Sequence, residues 1–120
     1  QFFKKQKRDI FNLYFKKWSK SHDIYKKRFA FVNAMKFYKD DDIKIFLDAV
    51  DNDDRYYVMM AEAWFLATAA ITHKNEVLNL LKLDKYSATL RRKTISKISD
   101  SFRISENDTK EFKQIRSLIA

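Results

Sequence analysis

The sequence contains no glycine and no proline among its 120 residues. Tight β-hairpin turns use glycine to reach positive φ angles, and phosphate-binding loops use it for close backbone approach. The two absences therefore count against a sheet protein and against a glycine-rich nucleotide loop. Apolar residues make up 46% of the chain and charged residues 34%, which suits a packed core rather than disorder. We expect one all-helical domain over residues 1–120.

Cysteine is absent too, which excludes disulfides, thiol nucleophiles and cysteine-ligated zinc within this chain. It is compatible with a cytoplasmic location, which we expect. His22 and His73 are isolated, so no zinc site is expected. The acidic run "DNDD" at 51–54 has Arg55 where a calcium loop needs glycine, and it predicts a helix cap instead. We therefore expect no metal and no cofactor. We also expect no catalytic residue, because no nucleophile–base pair can be assigned from spacing.

One long apolar run stands out, "YYVMMAEAWFLATAAITHK" from Tyr56 to Lys74. Glu62 interrupts it, and the stretch from Val58 to Ile71 is shorter than the ~20 residues that span a bilayer. We therefore expect no membrane segment. The run raises two questions: why this helix is apolar on all sides, and why Trp64 stands among alanines.

The charge is strongly basic, with 25 lysines and arginines against 16 acidic residues and a net charge of +9. Such a surplus makes polyanions the natural partners, nucleic acid first and an anionic membrane surface second. Charge alone leaves open a protein that is merely basic.

Apolar spacing and capping residues predict seven helices. Capping is assigned to Ser21 or Asp23 for the second helix, to the acidic triplet 40–42 for the third, and to Asp53 or Asp54 for the fourth. Ser105 followed by Asp108 resembles a capping box for the seventh. The first helix is predicted to span about 3–19. The second runs from its cap at Ser21 or Asp23 to 38, the third from the acidic triplet to 50, and the fourth from its cap at Asp53 or Asp54 to 73. The last three span about 75–83, 87–102 and 106–119.

Long and short helices alternate in a repeating pattern. A shift of 34 residues places Ala30 on Trp64, Ile43 on Val77, and the pair Phe46–Leu47 on Leu80–Leu81. A helix pair that recurs every 30-odd residues is typical of a HEAT-like α-solenoid of antiparallel helix pairs. Inside such a stack a helix is buried on several sides, and alanines allow its neighbours to approach closely. The pattern therefore explains the apolar run as architecture.

Three stretches together resemble a known family. They are Tyr56–Tyr57–Val58 entering an "A-x-A-W" helix at Trp64, the run "KISDSFRIS" at 97–105, and "KKRFAFVNAMKFY" with Arg28. The chain is similar to the C-terminal half of the DNA alkylation repair family, the AlkD-like HEAT-repeat DNA glycosylases. The resemblance implies a curved stack of helical repeats whose concave basic face holds duplex DNA. Active members hydrolyse the N-glycosidic bond of positively charged alkylated purines. By resemblance, Trp64 contacts the lesion's sugar and backbone, and Arg28 contacts the DNA backbone.

The departures from the family pattern concern catalysis. The tryptophan-plus-aspartate motif of the family has no equivalent here, since Trp18 and Asp23 fall in the wrong repeat. Ala67 also stands where glycosylase-active members tend to carry arginine. We therefore expect a DNA-binding portion that is not catalytic alone. The alternative is a non-catalytic HEAT-repeat scaffold that binds an acidic protein partner.

The sixth predicted helix carries the remaining candidates for phosphate contacts. They are Arg91, Arg92, Lys93 and Lys97. Lys93 and Lys97 are four residues apart and share a face. Phosphate contacts give affinity and register without reading base sequence, so the predicted partner is duplex DNA of any sequence. Two alternatives stay open, namely that this face is merely solvated and that Trp64 is a core residue. Arg103 is expected to bridge the last repeats.

The first helix predicts a surface for self-association. Phe2, Phe3 and Phe11 would be left partly uncovered, and an exposed apolar patch favours contact with a second copy.

Overall fold

A computed structural model describes residues 2–40 and 42–119, with the side chains of 2–6, 8 and 40 left out. The described part contains seven α-helices, one 3₁₀ turn and no strand, as predicted. The helices are α1 (Phe2–Trp18), α2 (Ile24–Phe37), α3 (Ile43–Leu47), α4 (Tyr56–Ala69), α5 (Lys74–Leu81), α6 (Ala88–Ser99) and α7 (Glu106–Leu118); the 3₁₀ turn is Tyr38–Asp40. None of these described helices is both long and apolar enough to cross a membrane.

Side-chain caps set the start of four helices. The Asp23 carboxylate accepts hydrogen bonds from the amides of Tyr25 and Lys26, which settles the choice between Ser21 and Asp23. The carboxylate of Asp42 caps α3, whereas Asp41 of the same acidic triplet lies outside the described residues. The Ser87 and Ser105 hydroxyls cap α6 and α7. These caps satisfy amides that have no partner inside the helix.

Three predicted helix ends were too late by three or four residues. α3 ends at Leu47 rather than near Val50, α4 at Ala69 rather than near His73, and α6 at Ser99 rather than at Phe102. Buried apolar residues follow α3 and α4 from the loop, since Val50 and Ala70 are buried. Apolar spacing alone does not distinguish such a residue from one more helical turn.

The core is organised around α4, which packs between α2 on one side and α6 on the other. α1 covers the outer side of α2, and α7 packs on α6. Nine residues of α4 are buried, including all four of its alanines and Phe65. The helix is therefore apolar on nearly all sides because it is covered on nearly all sides, as the sequence predicted. This stacking of helix pairs is consistent with the predicted α-solenoid.

The repeat has a different register in its long helices. α2 and α4 both contain 14 residues and begin at Ile24 and Tyr56, a shift of 32. At that shift the four buried residues of α2, Lys27, Ala30, Phe31 and Ala34, fall on the buried Met59, Glu62, Ala63 and Leu66. The predicted shift of 34 holds only for the buried residues of α3 and α5. Placing Ala30 on Trp64 was wrong, since Ala30 is 1% exposed and Trp64 46%.

The acidic run 51–54 links separate parts of the chain and does not cap α4. Arg55 occupies the cap position of α4 and makes no side-chain cap bond, so the prediction of Asp53 or Asp54 was wrong. Asp53 instead pairs with Arg55 (Oδ2 to Nη2, 2.7 Å) and with Lys27 of α2 (Oδ2 to Nζ, 3.0 Å). Asn52 bonds the carbonyl of Lys85 and the amide of Ser87. The loop thereby joins α2 to the start of α6.

Lys27 is the buried centre of this ion cluster, with only 5% of the residue exposed. Its Nζ lies 2.6 Å from Asp51 Oδ2 and 3.0 Å from Asp53 Oδ2. Burial alone lowers the pKa of Lys27, but the two carboxylates outweigh it and leave that pKa raised. The pKa of Asp53 is held well below its usual range by the Arg55 guanidinium and by Lys27, against the effect of burial. Lys27 and Asp53 are therefore both charged at neutral pH.

Glu62 is the other buried ionisable group next to this loop, and it is completely buried on α4. Its Oε2 accepts a hydrogen bond from the Asp51 amide at 3.0 Å, while Oε1 has no partner among the described residues. Burial raises the pKa of Glu62 to about 9, the nearby Asp51 carboxylate adds to this, and Lys27 offsets only part of it. Glu62 therefore holds a proton at neutral pH.

The first prediction concerns Lys27. Replacing it by methionine leaves the nearly buried Asp53 carboxylate without one of its two cations, and we expect a loss of about 3 kcal/mol in the free energy of unfolding. Urea unfolding at neutral pH measures this. Lys26→Met is the matched control, because Lys26 is exposed and its replacement should change stability by less than about 0.5 kcal/mol. Equal effects of the two substitutions would show that the cluster does not stabilise the fold.

The second prediction concerns pH. Because the pKa of Glu62 is raised to about 9 from 4.5, the folded chain keeps a proton that the unfolded chain loses between those values. This group's contribution is therefore fully present below pH 4.5 and declines as pH rises toward 9. Glu62→Gln removes the ionisation, so its stability relative to wild type should rise by roughly 4 kcal/mol between about pH 5 and 8. A difference between variant and wild type that stays flat with pH would contradict the assignment.

Candidate nucleic-acid interface

α4 presents a single solvent-facing stripe between α2 and α6. Its members are Tyr57, Met60, Trp64 and Thr68, spaced three or four residues apart, and Ile71 continues the line in the turn after the helix. Tyr57 is 65% exposed and Trp64 46% exposed, although both lie in the most buried helix of the fold. Residues at this spacing share one side of a helix. Since α2 and α6 flank α4, side chains from all three helices meet along this stripe.

Trp64 lines two adjoining surface depressions. The first, of about 350 Å³, is bounded by Trp64 and α4 on one side and by Lys97, Asp100, Ser101 and Arg103 on the other. We call it the Trp64 depression. The alternative that Trp64 is a core residue is wrong, because almost half of the residue is exposed. The indole is thus available to a ligand from solvent.

The second depression, of about 310 Å³, contains Arg28 and is called the Arg28 depression. Trp64 and Lys97 line it as well, together with Tyr56, Tyr57 and Met60. Arg28 Nη1 donates a hydrogen bond to the carbonyl of Tyr57 at 3.0 Å, which holds the guanidinium against the start of α4. The sequence alone could not show that Arg28, Trp64 and Lys97 come together from three different helices.

The basic residues of α6 divide into two groups. Lys97 lines both depressions, and Lys93, one turn earlier on the same face, is exposed. Arg91 Nε donates to the carbonyl of Tyr86 at 3.0 Å, and Arg92 Nη2 donates to the carbonyl of Ile119 at 3.3 Å. Neither arginine lines the Trp64 or the Arg28 depression. Of the four candidates on α6, the structure therefore brings only Lys97 beside Trp64, since Lys93 lines neither depression. Arg91 and Arg92 lie against the loop before α6 and the residue that follows α7.

Arg103 is a site residue that sequence reasoning missed. It was expected to bridge the last repeats, but within the described residues its side chain makes no hydrogen bond or ion pair, and it lines the Trp64 depression. With Lys97 it gives this depression two cations against the one carboxylate of Asp100. The sequence does place Arg103 in a short loop, just after the "SDS" that ends the helix. The direction of the Arg103 side chain, however, depends on how α6 packs on α4.

The described residues hold no cluster of three histidine, aspartate or glutamate side chains able to bind a metal. The depressions combine an indole, two tyrosines, two guanidinium groups, one ammonium group and one carboxylate. Such groups bind flat apolar surfaces and anionic oxygens, and they do so without forming covalent bonds. The arrangement is therefore that of a binding surface for an anionic ligand with stackable rings.

The surface on α1 differs from its prediction. Phe11 is buried, with its ring stacked at 4.8 Å on Phe37, so the expectation that it is partly uncovered was wrong. The side chains of Phe2 and Phe3 lie outside the described residues. Among the side chains of α1 that the structure describes, the exposed large apolar ones are Ile10, Leu13 and Tyr14. Self-association through α1 stays a prediction that would now rest on these three residues.

The third prediction separates the site from the core. Trp64 and Phe65 are neighbours, but Phe65 is completely buried and Trp64 is half exposed. Phe65→Ala should cost about 3–5 kcal/mol in the free energy of unfolding, and Trp64→Ala about 1 kcal/mol. Chemical unfolding monitored by circular dichroism measures both. A larger loss for Trp64→Ala than for Phe65→Ala would assign Trp64 to the core.

Comparison with known proteins adds one finding. The sequence model of the family described as DNA alkylation repair enzyme matches residues 2–98. The match includes Arg28 and Trp64, and it ends before most of the run 97–105 that also suggested the resemblance. Searches of curated proteins and of solved structures found no match. Because the matched segment covers most of the 120 residues, the chain belongs to the DNA alkylation repair enzyme family.

Proposed function

We propose that this chain supplies a duplex-DNA-binding surface of a DNA alkylation repair enzyme. The observation that carries the proposal is the meeting of Arg28, Trp64 and Lys97 around two adjoining depressions. The three come from α2, α4 and α6, so the stacking of these helices sets their spacing. The net charge of +9 supports a polyanionic partner.

Each side chain has a role that follows from its chemistry. The forked Arg28 guanidinium is fixed at one end by the Tyr57 carbonyl and suits the two oxygens of a phosphodiester. Lys97 supplies a compact second charge on the opposite side of Trp64. The exposed indole then packs on a deoxyribose or a base between the two phosphate contacts. Because none of these groups reads base edges, the binding is sequence-independent.

The proposed reaction of the complete enzyme is the hydrolysis of the N-glycosidic bond of alkylated purines in duplex DNA. Family membership supports this reaction class. The described side chains of the site hold substrate, and the proposal assigns none of them to bond cleavage.

A second candidate is a non-catalytic scaffold for an acidic protein. The exposed Ile10, Leu13 and Tyr14 on α1 favour it, because a contiguous apolar face suits protein contact. These residues lie on a different helix from the depressions, so substitutions can test the two surfaces separately.

The fourth prediction tests DNA binding. Wild type should bind a short duplex with a log–log salt slope of roughly −0.9 per phosphate neutralised, measured by fluorescence anisotropy at several salt concentrations. Arg28→Ala and Lys97→Ala should each weaken binding and make the slope less steep by about 1, since each removes one phosphate contact. Both variants should stay folded by circular dichroism.

Two other charge removals serve as comparisons. Lys82→Ala removes one positive charge at the end of α5, away from the depressions, and should leave the slope unchanged. Arg92→Ala tests the remaining part of α6 and should have a smaller effect than Lys97→Ala, because Arg92 contacts the Ile119 carbonyl. If all four variants changed the DNA affinity and the salt slope equally, binding would depend on net charge alone and not on the depressions. Absence of duplex binding by folded wild type at low salt would overturn the proposal and favour the scaffold.

A further inference from the structure

The turn between α6 and α7 carries the most exposed large apolar side chain of the described residues. Phe102 is 98% exposed, although the chain buries most of its other phenylalanines. It lies in a connection of six residues, 100–105, between Ser99 and Glu106. An aromatic ring so fully in water has no role in the packing of this domain, so it is available for a partner.

The turn that presents Phe102 is well anchored. The Ser101 amide bonds the Ile98 carbonyl at 3.1 Å, and the Arg103 amide bonds Ser101 Oγ at 3.3 Å. Ile104 is buried immediately afterwards, and the Ser105 hydroxyl caps α7. The backbone on both sides of Phe102 is therefore tied to the fold. Because the backbone is already fixed, little of its conformational entropy is left to lose when the ring binds.

Two basic depressions flank the turn that carries Phe102, and Phe102 lines one of them. The first is the Trp64 depression, where Lys97 and Arg103 oppose Asp100. The second has a volume of about 670 Å³ and is called the Phe102 depression; in it Lys110 and Lys113 oppose Glu106. Ser101 lines both depressions, so they meet at the turn. Each depression thus has two cations against one carboxylate, and the exposed ring lies next to their shared residue.

This arrangement suits nucleic acid better than a protein surface. A protein partner for an apolar side chain needs a contiguous apolar patch, whereas the Phe102 depression is lined mainly by serine, threonine, lysine and glutamate side chains. A DNA duplex offers both kinds of partner: flat stacked bases for the Phe102 ring, and a row of phosphates on each strand for the cations. Apolar side chains that insert between base steps in this way are an established means of bending or opening DNA.

We propose that Phe102 inserts between stacked bases of duplex DNA while the cations of the two depressions hold the phosphates on either side. The proposal rests on the proposed function, because the Trp64 depression is part of both. It adds a segment that lies beyond the family match, which ends at residue 98. Insertion costs least where stacking is already weak, so a mismatched or damaged step is the preferred position.

The fifth prediction uses a short duplex with one mismatched pair and 2-aminopurine beside it, compared with the fully paired duplex. Wild type should bind the mismatched duplex more tightly and raise 2-aminopurine fluorescence, because insertion unstacks the probe. Phe102→Ala should weaken this binding about tenfold and abolish the fluorescence rise. Its salt slope should equal that of wild type, since no phosphate contact is lost. Phe102→Trp should retain binding and signal.

Leu118→Ala is the matched control, because Leu118 is 82% exposed on α7 and should change neither quantity. Phe102→Ala should unfold at the wild-type temperature, as expected for a side chain outside the core. If wild type binds the duplex and Phe102→Ala binds it equally with the same fluorescence rise, the insertion is overturned and the proposed function stands. The insertion is likewise overturned if Phe102→Ala leaves DNA binding unchanged and alters only the sedimentation of the free protein, because Phe102 would then contact a second copy of the chain. Absence of binding by wild type overturns both proposals.

Discussion

The burial of α4 between α2 and α6 is the constraint on which the rest of the structure depends. A chain without glycine or proline forms helices readily, but helices of this length are marginal until their apolar sides are covered. α4 is covered on all but one stripe, and its alanines let the neighbouring helices approach it closely. The stripe left open is where Trp64 lies, so the same packing that makes the core also positions the candidate site.

Buried charges complete this packing at the start of α4. Lys27 comes from α2 and its carboxylate partners come from the loop before α4, so the ion cluster fixes where the helix begins relative to α2. Glu62 holds the same loop by its bond to the Asp51 amide. An unpaired buried charge is costly, so this arrangement disfavours any other position of the loop. Arg28 and Tyr57, which follow these groups in α2 and α4, are positioned as a result.

The surface chemistry changes gradually across the exposed side of α2, α4 and α6. The Arg28 depression is aromatic and basic, and the Trp64 depression adds the Asp100 carboxylate and the Arg103 guanidinium. The turn with Phe102 continues this surface toward α7. Membership of the DNA alkylation repair enzyme family gives this surface a biological setting. Cations and exposed rings lie side by side on this surface, which is why the same surface enters both proposals.

The sequence by itself determined the number and type of the helices, the caps at Asp23 and Ser105, the basic surplus and the family. These depend on spacing, composition and local hydrogen bonds, all of which lie within a few residues. Tertiary structure alone decided that Trp64 is exposed, that Arg91 and Arg92 bond distant carbonyls, and that Arg103 lies beside Trp64. The physical reason is that the rotation of a helix about its axis is set by the neighbours that cover it. Those neighbours are some 30 residues away in sequence, and local periodicity does not specify their contacts.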